Sequence, residues 1–436
     1  MTTNRRELLA LSGALFAALA GCLGDEGDTG NGPDPAIGQS EPNGDPDDLE
    51  FLIESNTKFA FDLLETAVAT EPSENLFVSP LSISIALSMT WAGARGDTED
   101  AMAETLGFEL DQSDLHPAFN TLTRTLHERS EPDDGGGGMD EGSEGGEPFE
   151  LAIANALWAN EGHSFREGFL DTVRDHYGAG VEEMDFAEAL EESREEINGW
   201  IEDRTENRIE DLLPAGSIDP STVLVLTNAI YFLAGWHHSF DESDTTNAEF
   251  TALDGSTEEV SLMSQTERFP YTETDEYRAI ELPYVGEATS MVVVLPEEFE
   301  EVEKSLDADR LAEIFDGFEE IEGTISLPRF EIESSFELAD VLGELGMEVA
   351  FTGGADFSGM IEGGGIWIDE VYHDTFVAVD EEGTEAAAAT AVAMEDSEPL
   401  EVFEMRVDRP FLFLIRDRET DSVLFLGRVV EAPDDP

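Results

Sequence analysis

Positive charge is scarce in this chain. Its 436 residues hold 21 Lys plus Arg against 101 Asp plus Glu, a formal net charge of -80, and the only lysines are Lys58 and Lys304. A polyanion of this kind repels nucleic acid and anionic membrane, so neither is expected as a partner. At low ionic strength the same charge would push a fold apart. In molar salt the Debye length shrinks to about 3 Å and most of that repulsion vanishes, which points to a salt-loving source. The acidic excess runs through the whole sequence without calcium-loop spacing, so an acidic calcium site is the weaker explanation. Hydrophobic residues make up 40% of the chain, ample for a core, which excludes a wholly disordered acidic protein.

Cysteine is nearly absent as well. Cys22 stands alone, which excludes internal disulfides and thiolate metal clusters. Missing too are a G-x-S-x-G elbow, an H-E-x-x-H pair and a glycine-rich phosphate loop, so no catalytic residue, metal or cofactor is expected. His237-His238 reads as exposed polar sequence in a turn rather than a ligand pair. The position of Cys22 explains it better than its chemistry. Arg5 and Arg6 precede an apolar run from Leu8 to Ala20, too short to span a bilayer, which closes as Leu19-Ala20-Gly21-Cys22. Residues 1–22 resemble a lipoprotein export signal of the twin-arginine type, with a plain secretory peptide as the alternative. The resemblance implies cleavage before Cys22, lipidation of its sulfur and an extracellular, lipid-anchored protein. Residues 23–48, dominated by Gly, Asp, Pro and Asn, read as a solvated tether.

The folded part is expected over 49–433. Helical spacing begins at Phe51, and Ser79-Pro80 marks the start of a helix within Asn75 to Ala94. Further helical patterns cover Thr98–Leu106, Leu115–Arg129, Phe165–Tyr177, Ala189–Leu213 and Ser335–Leu345. Residues 132–148, rich in Gly, Asp and Glu, read as a flexible surface insertion. Strand patterns cover Glu150–Trp158, Glu249–Thr251, Glu258–Met263, Tyr277–Pro283, Ser290–Leu295 and Trp367–Val379. Thr222–Phe232 is apolar almost throughout, as in a fully buried strand. Phe411–Ile415 and Val423–Val429 make a closing hairpin. Helices dominate the first half and strands the second, an α+β arrangement with large mixed or antiparallel sheets.

One stretch departs from the acidic background. Val379 to Glu395, VDEEGTEAAAATAVAME, is small and largely uncharged. With period two, Thr384, Ala386, Ala388, Thr390, Val392 and Met394 share a face free of charge, which suits a strand entering a sheet above a core. Its alanines suit a helix equally well, and composition alone does not choose.

Ordered blocks settle the choice. NLFVSPLSISIALSMTWAGARGDTEDAM at Asn75, NGWIEDRTENRIEDLLP at Asn198, LTNAIYFLAGW at Leu226 and LPRFEIESSFELADVLGELGM at Leu327 resemble signatures of the serpins, the serine protease inhibitor superfamily. So do ADFSGM at Ala355, VYHDTFVAVDEEGTEAAAAT at Val371 and RPFLFLIRDRETDSVLFLGRVVEAP at Arg409. The resemblance implies an α+β fold of three β-sheets and about nine helices, with an exposed reactive-centre loop over 380–408. It also implies a metastable monomer: a target serine protease attacks the loop, forms its acyl-enzyme, and is trapped when the cleaved loop inserts into the central sheet.

Site residues carry over individually. The hinge is Glu381, Gly383, Thr384, Ala386, Ala387, Ala388 and Ala389; the shutter under the insertion gap is Ser79, Ser82, Asn228 and His373; Trp236 marks the breach at its upper end. Counting from Gly383 puts the scissile bond between Ser397 and Glu398, with Met394, Glu395 and Asp396 as alternatives. A secreted subtilisin-like or chymotrypsin-like enzyme is the expected partner. Leu233 stands where the family carries a lysine. A non-inhibitory serpin with a carrier or storage role is the main rival, and a substrate-binding lipoprotein a weaker one.

Overall fold

A computed structural model describes residues 38–130, 150–363, 365–384 and 403–436. Its first helix, α1 (Pro46–Thr70), begins inside the expected tether, because Asp45 caps it by accepting the Asp47 N–H at 3.0 Å and Pro46 occupies the first position. The end of that tether is also tied down. Ser40 N–H donates to the Asp175 carbonyl at 2.9 Å, and the Arg124 guanidinium holds the Gly38 and Ser40 carbonyls at 2.7 and 3.0 Å. Composition reads such a segment as solvated because Asp, Gly and Pro serve caps and tethers alike.

β1 (Leu76–Val78) leads into α2 (Pro80–Trp91), whose twelve residues are all buried and which therefore has no amphipathic pattern. α3 (Asp97–Leu106) and α4 (Gln112–Ser130) follow, then β2 (Glu150–Asn160), α5 (Glu167–Tyr177), β3 (Val181–Met184) and α6 (Leu190–Arg204). The helix expected to reach Leu213 stops at Arg204, where Glu206 and Asn207 turn to positive φ. The chain then folds back, so that Asn198 accepts the Leu213 N–H at 2.9 Å and donates to its carbonyl at 3.0 Å. Ile209, Leu212 and Leu213 are buried in this return segment, and their spacing imitates a longer helix.

β4 (Leu224–Gly235) is the central strand, followed by β5 (Thr246–Thr251), β6 (Thr257–Glu273), β7 (Tyr277–Pro283), β8 (Thr289–Pro296), α7 (Phe299–Ser305), α8 (Ala308–Asp316), β9 (Glu319–Pro328) and β10 (Phe330–Glu337). Ser335 to Glu337 thus belong to a strand, and the helix expected from Ser335 is the short α9 (Leu338–Leu342). β11 (Glu370–Val379), β12 (Gly383–Thr384), β13 (Phe403–Arg406), β14 (Phe411–Asp417) and β15 (Val423–Val429) complete the chain.

Nine α-helices are present among the described residues, as expected of this α+β fold. Hydrogen bonding joins the strands into two sheets where three were expected. One runs β10-β11-β12-β4-β2-β3, and the other has nine strands. The second and third sheets merge because β6 pairs with β5 through one half and β7 through the other, while β9 follows it along ten register positions.

Both faces of β4 are covered. Leu224, Leu226, Ile230 and Phe232 join the main core, whereas Val225 and Ala229 pack in a second cluster with Trp158, Ile197 and Tyr372. Burial on both sides is why the strand reads as one apolar run. Phe77 stacks on Phe425 at 4.9 Å and on Phe413 at 5.6 Å, and Phe232 meets Phe425 at 5.9 Å, so these rings join the two sheets. Phe77→Ala should cost about 3–5 kcal/mol in chemical denaturation, while Leu253→Ala on the surface should change stability by less than about 0.5 kcal/mol.

Candidate functional site

Three strands of the central sheet carry a polar row at one level. Asn155 of β2 lies opposite Asn228 of β4, and Asn228 opposite His373 of β11. The start of α2 adds Ser79, its N-cap, and Ser82 in its first turn. All five are buried, and Ser79, Ser82, Asn228 and His373 completely so. Unpaired polar atoms here would each cost about 1–3 kcal/mol, and the row is closed on itself. Asn228 Nδ2 donates to Ser82 Oγ at 2.6 Å and to Asn155 Oδ1. Ser82 Oγ donates to Asn155 Oδ1 at 3.2 Å, and Asn155 Nδ2 returns a bond to the Ser82 carbonyl at 3.2 Å. Ser79 N–H donates to His373 Nε2 at 3.1 Å, its hydroxyl donates to the Leu424 carbonyl at 2.7 Å, and it caps α2 by accepting the Ser82 N–H.

This wiring fixes the histidine. Nε2 accepts, so the proton sits on Nδ1 and goes to Asn228 Oδ1. Burial lowers the His373 pKa from 6.5 to about 3, against the opposing effect of the Asn228 bond. The ring is a neutral spacer between β4, β11 and α2.

Above the row the sheet divides. β4 and β11 pair in parallel from Glu370–Val225 to Phe376–Tyr231 and no further. In the gap beyond sits β12, with Thr384 paired to Val379 on one side and to Ala234 on the other, and Gly383 paired to Gly235. The hinge was expected in an exposed loop; its first residues are strand, and Thr384 is fully buried. Two local features explain this. A Cβ on Gly383 would lie 2.2 Å from the Ala234 carbonyl oxygen, so only glycine fits between the strands. The Thr384 hydroxyl meets the Tyr284 hydroxyl at 2.8 Å, which satisfies its one polar atom. Thr384 is the first member of the neutral face read from the sequence.

The turn leading into β12 is locked. Trp236 stacks on Tyr284 with centroids 4.7 Å apart and planes at 7°, and its indole N–H donates to the Asp380 carbonyl at 2.9 Å. The Trp236 backbone N–H donates to the Glu382 carbonyl at 2.9 Å, and the Phe240 N–H to the Glu381 carbonyl at 2.8 Å. The Asp380 carboxylate accepts the Glu382 and Gly383 N–H groups at 2.8 and 3.2 Å. Glu381 is buried against Arg329 at 2.7 Å and also bonds Thr245. Burial would raise its pKa, but these two partners outweigh it and hold the carboxyl below its ordinary range.

A family model described as serpin (serine protease inhibitor) matches residues 54–432. The chain belongs to the serpin family. An uncharacterized serpin-like protein of Thermococcus kodakarensis is 39% identical over 388 residues, covering 88% of this chain and 86% of that relative. The leukocyte elastase inhibitor of Bos taurus is 36% identical over 392 residues, covering 87% and 99%. Among solved structures, human thyroxine-binding globulin complexed with thyroxine matches with a TM-score of 0.77 at 28% identity, covering 89% of this chain and 100% of that one.

Of the residues expected in this serpin from sequence, the structure brings Ser79, Ser82, Asn228 and His373 into one network and places Trp236 against the hinge turn. Ala386, Ala387, Ala388, Ala389, the candidate scissile residues Met394, Glu395, Asp396, Ser397 and Glu398, and Cys22 lie outside the described residues. The far end of the expected loop is not free either: β13 pairs in parallel with β9 from Phe403 to Arg406. Sequence reasoning missed Asn155, Tyr284 and Arg329. Asn155 left a signal as a lone amide in the apolar stretch LAIANALW, whereas nothing local marks Tyr284 or Arg329.

Because His373 is neutral when folded and takes up a proton near pH 6.5 when unfolded, its contribution opposes folding increasingly as pH falls from about 6.5 towards 3. In His373→Gln the amide can accept from Ser79 and donate to Asn228 without titrating. The loss of stability between pH 7.5 and 5, read by urea unfolding, should be smaller in that variant by roughly 2 kcal/mol.

Proposed function

We propose that this serpin inhibits a serine protease by the suicide-substrate route, with loop cleavage, acyl-enzyme formation and insertion of the loop between β4 and β11. The observation that carries this reading is the position of Gly383 and Thr384, already paired in the slot where insertion would continue. For the strand to advance, the seven parallel pairs between β11 and β4 must part. Each lost bond is replaced by bonds on both edges of the incoming strand, so one ladder becomes two. Burial of Val392 and Met394 would add roughly 1.5–3 kcal/mol each. The polar row lies directly in this path, and its bonds between β4 and β11 have to be exchanged for bonds to the arriving strand.

A secreted subtilisin-like or chymotrypsin-like enzyme is the proposed target, with cleavage near Ser397–Glu398 or at Met394 to Asp396. Likeness to thyroxine-binding globulin favours a carrier as the second reading. Against it, Ala386 to Ala389 are small and neutral and Glu385 falls on the other face of the strand pattern, with no bulky group on the inserting face to stall insertion.

Incubation with subtilisin and with chymotrypsin in molar salt, followed by denaturing electrophoresis, separates the two readings. Inhibition predicts a covalent complex that survives denaturation; a cut loop beside a fully active protease contradicts it. Thr384→Arg should shift the outcome from complex to cleaved product by at least roughly tenfold, because a guanidinium is costly at a fully buried strand position.

A further inference from the structure

The end of α2, the starts of α4 and α5 and the segment 358–359 line an open cavity of about 640 Å³. Arg95, His116, Arg166 and His176 line it with Gln112 and Thr172, and no Asp or Glu does. That is unexpected where 101 of 436 residues are acidic and 21 are basic. Neither arginine forms an ion pair with a carboxylate among the described residues. The Arg95 guanidinium lies over Gly359, where a Cβ would come 2.4 Å from its Cζ, and donates to the Ala92 carbonyl at 3.0 Å. Arg166 Nε donates to the Ser358 carbonyl at 2.7 Å. Carbonyls thus orient both cations. Asp356 accepts the Ser358 N–H at 3.0 Å, and that bond, with a smaller effect from the Arg95 charge, holds its carboxyl below the ordinary range, but it makes no ion-pair contact with Arg95.

A second observation concerns the wall. His116 is 4% exposed, with Nδ1 2.6 Å from the Tyr177 hydroxyl, and its Nε2 is buried with no partner. When Tyr177 donates to Nδ1, Nε2 carries the proton and becomes a donor lacking an acceptor. The His176 ring stacks at 6.1 Å from it, and His176 Nδ1 is likewise buried and unpartnered. Gly168, in the first turn of α5, also lines the cavity, so the positive end of that helix faces the same space.

We propose that this cavity binds a compact tetrahedral oxyanion of the phosphate or sulfate class, with Arg95 and Arg166 supplying charge and His116 Nε2 a neutral hydrogen bond. Guanidinium groups match such oxygens geometrically, and two of them left unpaired in so acidic a protein have this vacancy in common.

Isothermal titration of the full chain with orthophosphate, in molar potassium chloride, tests it. Saturable one-to-one binding is expected, weakened at least tenfold in Arg166→Gln, with the thermal midpoint in the absence of phosphate unchanged. Glycerol phosphate distinguishes the source: equal affinity assigns the site to phosphate esters, and loss of binding assigns it to the free anion. Absence of saturable binding by both compounds, or equal binding by R166Q, would overturn the proposal. Should R166Q itself lower the midpoint, the nitrogen-15 signal of His116 Nε2 in the parent protein decides. It must shift on adding phosphate, and a fixed signal contradicts the site.

Discussion

Only seven residues of β11 pair directly with β4, and Gly383 and Thr384 of β12 hold the strands apart above them. This wedge is the constraint on which the rest of the structure depends. A sheet that were zipped along its whole length would offer no starting point for another strand, and one open along its whole length would expose unpaired backbone on both edges. Here the opening is confined to the place where glycine can enter and where Thr384 finds Tyr284. Below it, the buried row of Asn155, Asn228, His373, Ser79 and Ser82 keeps the strands in register with α2. The row holds the closed sheet through hydrogen bonds, which on the proposed mechanism would be exchanged for bonds to the incoming strand, whereas an apolar filling would offer that backbone no partners.

Around this wedge the core acts as a frame. The rings of Phe77, Phe413, Phe425 and Phe232 clamp the two sheets together, while Trp236, Arg329 and the Asp380 turn fix the point where the chain enters the gap. Rigidity at the entrance and exchangeable bonds beneath it are complementary. On the proposed mechanism, the first would set where a strand goes in and the second how far the sheet can open. The acidic surface takes no part in this arrangement, and the carboxylates that do matter, Asp380 and Glu381, are engaged by backbone N–H groups or by Arg329.

Much of this was legible before the structure. Period-two and helical patterns located Tyr277–Pro283, Val423–Val429 and Thr98–Leu106 within a residue, because their burial is one-sided or uniform and their ends carry turn residues. β4 was recognisable as a strand buried on both faces. The errors have physical causes. Asp45-Pro46 is a cap that composition reads as tether, Asn198 bonds the Leu213 backbone where the helical spacing continues, and Ser335 to Glu337 extend a strand whose apolar alternation is broken by Ser334, a polar residue at a buried position. The site was legible only through the resemblance of ordered blocks. His373 or Ser79 alone is an ordinary polar residue, and its meaning arises from strands distant in sequence. That Thr384 is already buried could not be read at all, since the same neutral face suits a strand waiting outside the sheet.

The central claim is that the segment after Thr384 completes the sheet once the loop is cut. Thermal unfolding of the intact and the loop-cleaved chain, side by side in molar salt, tests it most directly. The account predicts that cleavage raises the midpoint by at least about 10 °C, through new strand hydrogen bonds and burial of the neutral face. A midpoint that stays the same or falls after cleavage would contradict it.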